Sequence, residues 1–398
     1  MPVRHRSALH CDPRPAGGAS VLALTLGLAC LLLLQLVVVA RNRSRGKAAI
    51  AAFCVGLVVV GASLYAWFLP PRYLPSASTA ALSRQLADDV KAGLADPENT
   101  EFFLIDGGSY TARGIDSREL QESLSKQLGR RVKVLVVAVA GGNHPERWTI
   151  LGNGLALLDA PTRARFSNSR ITLLLEIHPN YDRRPLTRLD QNGFSDRAYA
   201  YLGPSTAWRA TGLDHGAMEW QERVELWRSV WSHAAMNLFN VGAAARLVAA
   251  EEVVPVASFD PVTQAAPGFS FRGMGAALEA FDNRSKRVRG GIPTRNVEAR
   301  RRQLVALTGA PHANVIYYSV ASARPQDLAY AYAFCRQVQG DPCVHHARRG
   351  LLKRLDASRF WHDNSHLQKV GAGLYTRWLA RMLVREVQDR PRPVPGKA

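Results

Sequence analysis

The sequence predicts an α/β domain, one parallel sheet covered on both faces by helices, preceded by two membrane-spanning helices. Three observations predict this. Short apolar runs too brief for helices alternate with helical patterns from about residue 100 onward. The runs are apolar throughout rather than at every second position, as expected of strands buried on both faces. Two uncharged stretches near the amino terminus are long enough to cross a bilayer.

Residues 20–40 (SVLALTLGLACLLLLQLVVVA) and 48–70 carry no charge. A cleaved leader is the alternative for the first stretch, but its apolar run exceeds a leader core and a second span follows at once. The two read as a hairpin after an amino-terminal tail, residues 1–19. The connector RNRSRGK holds Arg41, Arg43, Arg45 and Lys47. Positive short loops stay cytoplasmic, which sends everything after Trp67 to the outer face of the cytoplasmic membrane. Tyr65 and Trp67 stand where an interfacial aromatic belt would fall. Residues 72–100 read as a linker with a short amphipathic helix over 79–95, lifting the domain off the membrane.

The domain itself is expected over residues 101–390. FFLID (102–106) is the first strand. GGSYTARG is a turn, and Asp116–Leu128 a helix with Asp or Ser near its start. VKVLVVAV (132–139) is the second strand, AGGN a turn, and 145–158 a helix. ITLLLEI (171–177) is the third strand. Alternation then stops, and residues 183–291 read as a largely helical insertion. Within it, 219–250 places Trp227 and Trp231 on one helix face, either capping a site or packing as core. Alternation returns with a helix at 297–307, the strand ANVIYYSVA, and helices at 325–338 and about 368–387.

The formal charge is +19. Placed outside the cytoplasm, such a charge points to anionic headgroups or an acidic polymer rather than nucleic acid. Cys335 and Cys343 flank a Gly-Asp-Pro turn; in an oxidising compartment they form a disulfide, and otherwise two free thiols fit the spacing equally. His345 and His346 read as surface residues.

Sites in open parallel sheets form at the carboxyl ends of strands. Gly107-Gly108-Ser109 follows the first strand directly, and paired glycines allow a tight turn that a substrate can approach. Asp363 and His366 form a D-x-x-H segment before the last helix. A serine hydroxyl becomes a nucleophile when an imidazole takes its proton and an acid holds the imidazole in one tautomer. Gly141-Gly142-Asn143 after the second strand can offer amides to an oxyanion. His362 and His366 with Asp363 between them are a rival metal set, disfavoured because two histidines four apart converge only on a helix.

These residues resemble the SGNH (GDSL-type) hydrolases, including membrane-anchored envelope members similar to alginate O-acetylation and teichoic-acid D-alanyl transfer proteins. The resemblance covers about residues 100–180 and 300–388. It implies a flavodoxin-like three-layer αβα sheet and a triad of Ser109, Asp363 and His366. It also implies an oxyanion hole from the Ser109 amide, Gly141 or Gly142, and Asn180. This chain departs at Gly108, where the family has Asp or Ser, and at EIHPNYDRR, where it has G-x-N-D. The implied chemistry is ester hydrolysis or O-acyl transfer on an acylated cell-envelope polysaccharide, without a cofactor, at the membrane and with a membrane-bound acyl donor protein as a possible partner. The other class open to such a chain is a non-catalytic scaffold that binds an anionic glycan or a membrane partner.

Overall fold

The computed structural model describes residues 77–96, 100–139, 144–179, 261–285, 294–338 and 341–388, with isolated positions at 54–57 and 220–231. Both expected membrane spans lie outside these apart from three positions, and among the described residues no helix is long and apolar enough to cross a membrane.

In chain order the elements are α1 (Ala77–Gly93), β1 (Thr100–Gly107), α2 (Ser109–Gly114), α3 (Ser117–Leu128), β2 (Arg131–Ala138), α4 (His144–Ala156), α5 (Ala160–Ser167) and β3 (Arg170–Glu176). They continue with α6 (Met274–Ser285), α7 (Arg295–Thr308), β4 (Asn314–Tyr318), α8 (Pro325–Gln337), β5 (Cys343–Val344), α9 (Arg349–Arg354) and α10 (Lys369–Gln388). The five strands form one parallel sheet in the order β2-β1-β3-β4-β5. The chain moves outward from β1 to β2, then crosses back over β1 to β3. That reversal opens a crevice beyond the carboxyl ends of β1 and β3.

Strand geometry explains the unbroken apolar runs, because successive side chains face opposite ways. In β1, Phe103 and Ile105 enter a core shared with Leu120 and Leu124 of α3, with α6 and with Tyr375, Leu379 and Leu383 of α10. Phe102 and Leu104 enter the opposite core, built with α1, α4 and Phe166 of α5. Both faces of the sheet are therefore dry. Each buried leucine or phenylalanine contributes about 1.5–3 kcal/mol.

Caps set the helix boundaries. Asp116 accepts from the amides of Arg118 and Glu119 at the start of α3. Asp159 accepts from Thr162 N–H at the start of α5, a helix that the sequence pattern does not announce. The helix expected at 79–95 is α1, and it packs its Leu82, Leu86 and Val90 into the second core rather than standing apart as a spacer. Helix α6 lies inside the stretch read as insertion, yet Met274, Ala277 and Phe281 belong to the first core. Of the tryptophans in the predicted 219–250 helix, Trp227 and Trp231 meet in a tilted ring contact at 5.7 Å between centroids, while Trp220 and Trp227 are exposed.

Cys335, in α8, and Cys343, in β5, are joined by a disulfide. It fastens the edge strand, whose Val344 carbonyl accepts from Ser319 N–H. His345 and His346 follow directly and are buried, not exposed as their polarity had implied. The edge strand carries them under the sheet end, where His346 Nδ1 lies 2.7 Å from Ser319 Oγ. Burial pushes His345 down to about 4 and His346 down to about 3.

An acid-labile fold follows. Unfolded histidines titrate near 6.5. Below that pH the unfolded chain binds protons that the folded chain refuses, so stability is complete above pH ~6.5 and falls as pH drops toward the folded values. The slope is about 1 kcal/mol per histidine per pH unit. Thermal midpoints should hold nearly level from pH 7.5 to about 6.5 and fall from there to pH 5. The fall should flatten in a His345→Gln/His346→Gln chain.

Candidate active site

Strand β1 ends at Gly107 and the chain turns through Gly108 into α2, whose first residue is Ser109. The turn that the sequence showed is thus a strand-to-helix elbow. Gly107 is required there for space: an added Cβ would lie 2.1 Å from Thr111 Oγ1 and 2.8 Å from Glu176 Oε2.

Glu176, the last residue of β3, clamps the elbow. Its Oε2 accepts from Gly108 N–H at 2.5 Å and from Thr111 Oγ1 at 2.9 Å. Tyr318 OH, at the end of β4, lies 2.6 Å from Thr111 Oγ1. Three neighbouring strand ends thereby fix the position of Ser109.

Beneath the elbow sits a second charged layer. Asp106 lies between Arg147 of α4 at 3.3 Å and Arg300 of α7 at 3.2 Å, all three almost wholly buried. Arg300 Nη2 also donates to the Glu176 carbonyl at 2.8 Å. Two helices of one layer, α4 and α7, are thus tied to the ends of β1 and β3.

The D-x-x-H segment arrives from the other end of the chain. Asp363 Oδ1 accepts from the amides of Ser365 at 2.6 Å and His366 at 2.9 Å, so the carboxylate folds its own loop. The loop is closed by an antiparallel bridge between Trp361 and Leu367 and by Gln368 N–H donating to the Phe360 carbonyl at 2.8 Å. Gly371 lets α10 start against that carbonyl, which would lie 2.4 Å from an added Cβ. The fully buried Trp361 anchors the loop by donating Nε1–H to the Leu355 carbonyl at 2.8 Å.

This placement brings together Ser109, His366 and Asp363. Asp363 Oδ2 is 2.9 Å from His366 Nδ1, and His366 Nε2 is 3.2 Å from Ser109 Oγ, across 257 residues of sequence. With the proton held on Nδ1 by the carboxylate, Nε2 presents its lone pair to the hydroxyl. Burial raises the Asp363 carboxyl, but its bonds from the His366 ring and from the Ser365 and His366 amides outweigh this and hold it well below the usual carboxylate range. Asp363 therefore stays charged wherever the site could work.

Tyr110 follows the serine, and its ring packs between the imidazoles of His366, at 5.0 Å, and His178, at 4.3 Å. Its hydroxyl lies 3.4 Å from Asp327 Oδ2, which also accepts from Ser322 Oγ at 2.8 Å and faces His178 Nε2 at 3.6 Å. Ser322 Oγ and Ala323 N–H both reach the Asn364 carbonyl of the triad loop. Asp327 therefore braces the floor of the site from two sides.

Gly141, Gly142 and Asn180, expected at the oxyanion, lie outside the described residues. His362 does not join His366 as a ligand: its Nδ1 donates to the Gln264 carbonyl at 2.7 Å, while both nitrogens of His366 face Asp363 and Ser109. Sequence reasoning missed Asp106, Glu176, Tyr110 and Asp327. Two of them carried a signal, since FFLID has an acid as its last residue and ITLLLEI as its last but one, and a buried acid demands partners.

Glu176→Gln should loosen the elbow while preserving shape. We expect stability to fall by about 1–3 kcal/mol, the range for leaving a buried hydrogen-bonding group without its partner. Any turnover that depends on Ser109 should fall with it. Chemical unfolding and turnover measured on the same preparation check this; wild-type values for both would remove Glu176 from the account.

No family model matches this chain, and no curated protein does either.

Proposed function

We propose that this chain is a serine ester hydrolase or O-acyltransferase of the SGNH type, membrane-tethered and acting on acyl esters of a cell-envelope carbohydrate. One observation carries the reading: the hydrogen-bonded series Asp363–His366–Ser109, assembled at the crevice beyond the ends of β1 and β3.

The steps follow from the proton positions. His366 Nε2 takes the Ser109 Oγ proton as Oγ bonds to the acyl carbonyl carbon. The tetrahedral intermediate collapses, the ester C–O bond breaks, and His366 returns the proton to the departing alcohol. Water, or a sugar hydroxyl, then gives its proton to His366 and attacks the acyl-serine. Serine leaves with that proton, and the acyl group is released or transferred. Asp363 holds the imidazolium in register throughout without being protonated.

The envelope target and the extracytoplasmic location rest on the residue resemblance and on the two apolar stretches with their basic connector. The test is turnover of p-nitrophenyl acetate by the full chain in detergent, with and without a glycan acceptor. Release that accelerates with acceptor and yields acetylated glycan supports transfer. Release indifferent to acceptor supports hydrolysis. Absence of both turnover and acyl-serine contradicts the reading.

A further inference from the structure

A cavity of about 660 Å³ opens beside the triad loop. Its lining comes from the segment before α6, including Phe269, Phe271 and Arg272, from the start of α8, including Arg324 and Gln326, and from Asn364. Asn364 lies between the acid and the imidazole of the triad in sequence, so one wall of the cavity is the catalytic loop itself. We propose that this cavity binds an anionic group, carboxylate or phosphate, carried on a sugar of the acyl donor or acceptor. The inference rests on the acyl-ester reading and deepens it by assigning the charge of the substrate.

Three features support it. First, the two sides of the cavity each contribute one arginine, Arg272 and Arg324, and no carboxylate among the described residues forms an ion pair with either. The nearby acids are committed elsewhere: Asp327 to Ser322 and His178, and Asp356 to Met274 N–H at 2.7 Å. Two arginines that line one space without a carboxylate partner among the described residues suit a planar carboxylate or a phosphate.

Second, Phe269 and Phe271 give the cavity apolar surface next to the arginines, and Phe271 is held by stacking on the buried Trp361 at 5.8 Å. An apolar wall beside charged forks matches a sugar ring that carries an acid.

Third, the wall is fastened to the triad. Ala266 N–H donates to the His362 carbonyl at 2.8 Å, Val262 bridges Gln368, and Ala323 N–H donates to the Asn364 carbonyl at 2.9 Å. A ligand seated against these residues is registered to the loop that carries His366.

The experiment reads binding in a full-length Ser109→Ala chain, which separates it from turnover. Three oligomers are titrated calorimetrically: hexagalacturonate, oligomeric glycerol phosphate and neutral maltohexaose. We expect at least one anionic oligomer to bind and maltohexaose not to; which anionic oligomer binds tells carboxylate from phosphate. Adding Arg272→Gln and Arg324→Gln should weaken that binding by at least about tenfold. Arg381→Gln with Arg385→Gln removes the same charge from the exposed side of α10 and should leave affinity within about twofold. Equal losses from both pairs, equal binding of maltohexaose, or no binding of either anionic oligomer overturns the proposal. If these titrations succeed while wild-type Ser109 proves unreactive, the anion site stands and the catalytic reading fails; the reverse pattern separates the two the other way.

Discussion

His366→Ala should lower kcat/KM for ester turnover by about 10⁴-fold while leaving the thermal midpoint nearly unchanged. The size follows from its double position. His366 lies 3.2 Å from Ser109 Oγ, where under the proposed mechanism it takes the hydroxyl proton, and Asp363 holds it at 2.9 Å. Its side chain is only partly buried and its loop is folded by Asp363, the Trp361–Leu367 bridge and the Trp361 anchor, none of which needs the imidazole. Removing it empties a proton site rather than a core. Because the serine and the imidazole act as one unit, Ser109→Ala/His366→Ala should be no slower than either single variant. Steady-state kinetics on the three chains measure this. Additive losses would mean that the two residues work separately.

Asp106→Ala should be the most damaging substitution to stability, by about 3–5 kcal/mol. It leaves the guanidiniums of Arg147 and Arg300 in a dry layer without the carboxylate that faces both. A folded domain has only about 5–15 kcal/mol to lose, so the variant should unfold at low denaturant or accumulate poorly. Asp106→Asn keeps the shape and an acceptor oxygen and should lose less than the alanine variant. Replacing Asp106 and Arg300 together should cost less than the sum of the single losses, because the partners are coupled. Urea unfolding of the four chains reads these differences. A loss under about 1 kcal/mol for Asp106→Ala would show that the arginines find other partners, and the clamp beneath Ser109 would need a different explanation.

The sheet was legible because its strands are buried on both faces. FFLID, VKVLVVAV, ITLLLEI and VIYY announce themselves as apolar runs, and all four fall in the parallel sheet. Strand β5 was not legible: it has two residues, and its place comes from pairing with Tyr317 and Tyr318. Misreading His345 and His346 as surface has the same origin, since only that pairing takes them inside. Helix α2 hides in GGSYTARG, where glycines and hydroxyl residues spell a turn and the helix is held by Glu176 from another strand.

The Ser109, Asp363 and His366 set was legible for a different reason. Polar residues at strand ends and before a helix are where an open sheet exposes chemistry, and D-x-x-H supplies its own local fold through Asp363. What sequence could not convey was pairing at long range. Glu176 and Asp106 show as acids in apolar strands, but only the fold places Gly108, Thr111, Arg147 and Arg300 against them.

The central claim is that Ser109 is made nucleophilic by His366. Labelling of the full chain with a fluorophosphonate, followed by peptide mass mapping, tests it most directly. The account predicts one adduct, on Ser109, lost in Ser109→Ala and strongly slowed in His366→Ala. An unlabelled wild-type chain, or an adduct that maps elsewhere and survives both substitutions, would contradict it.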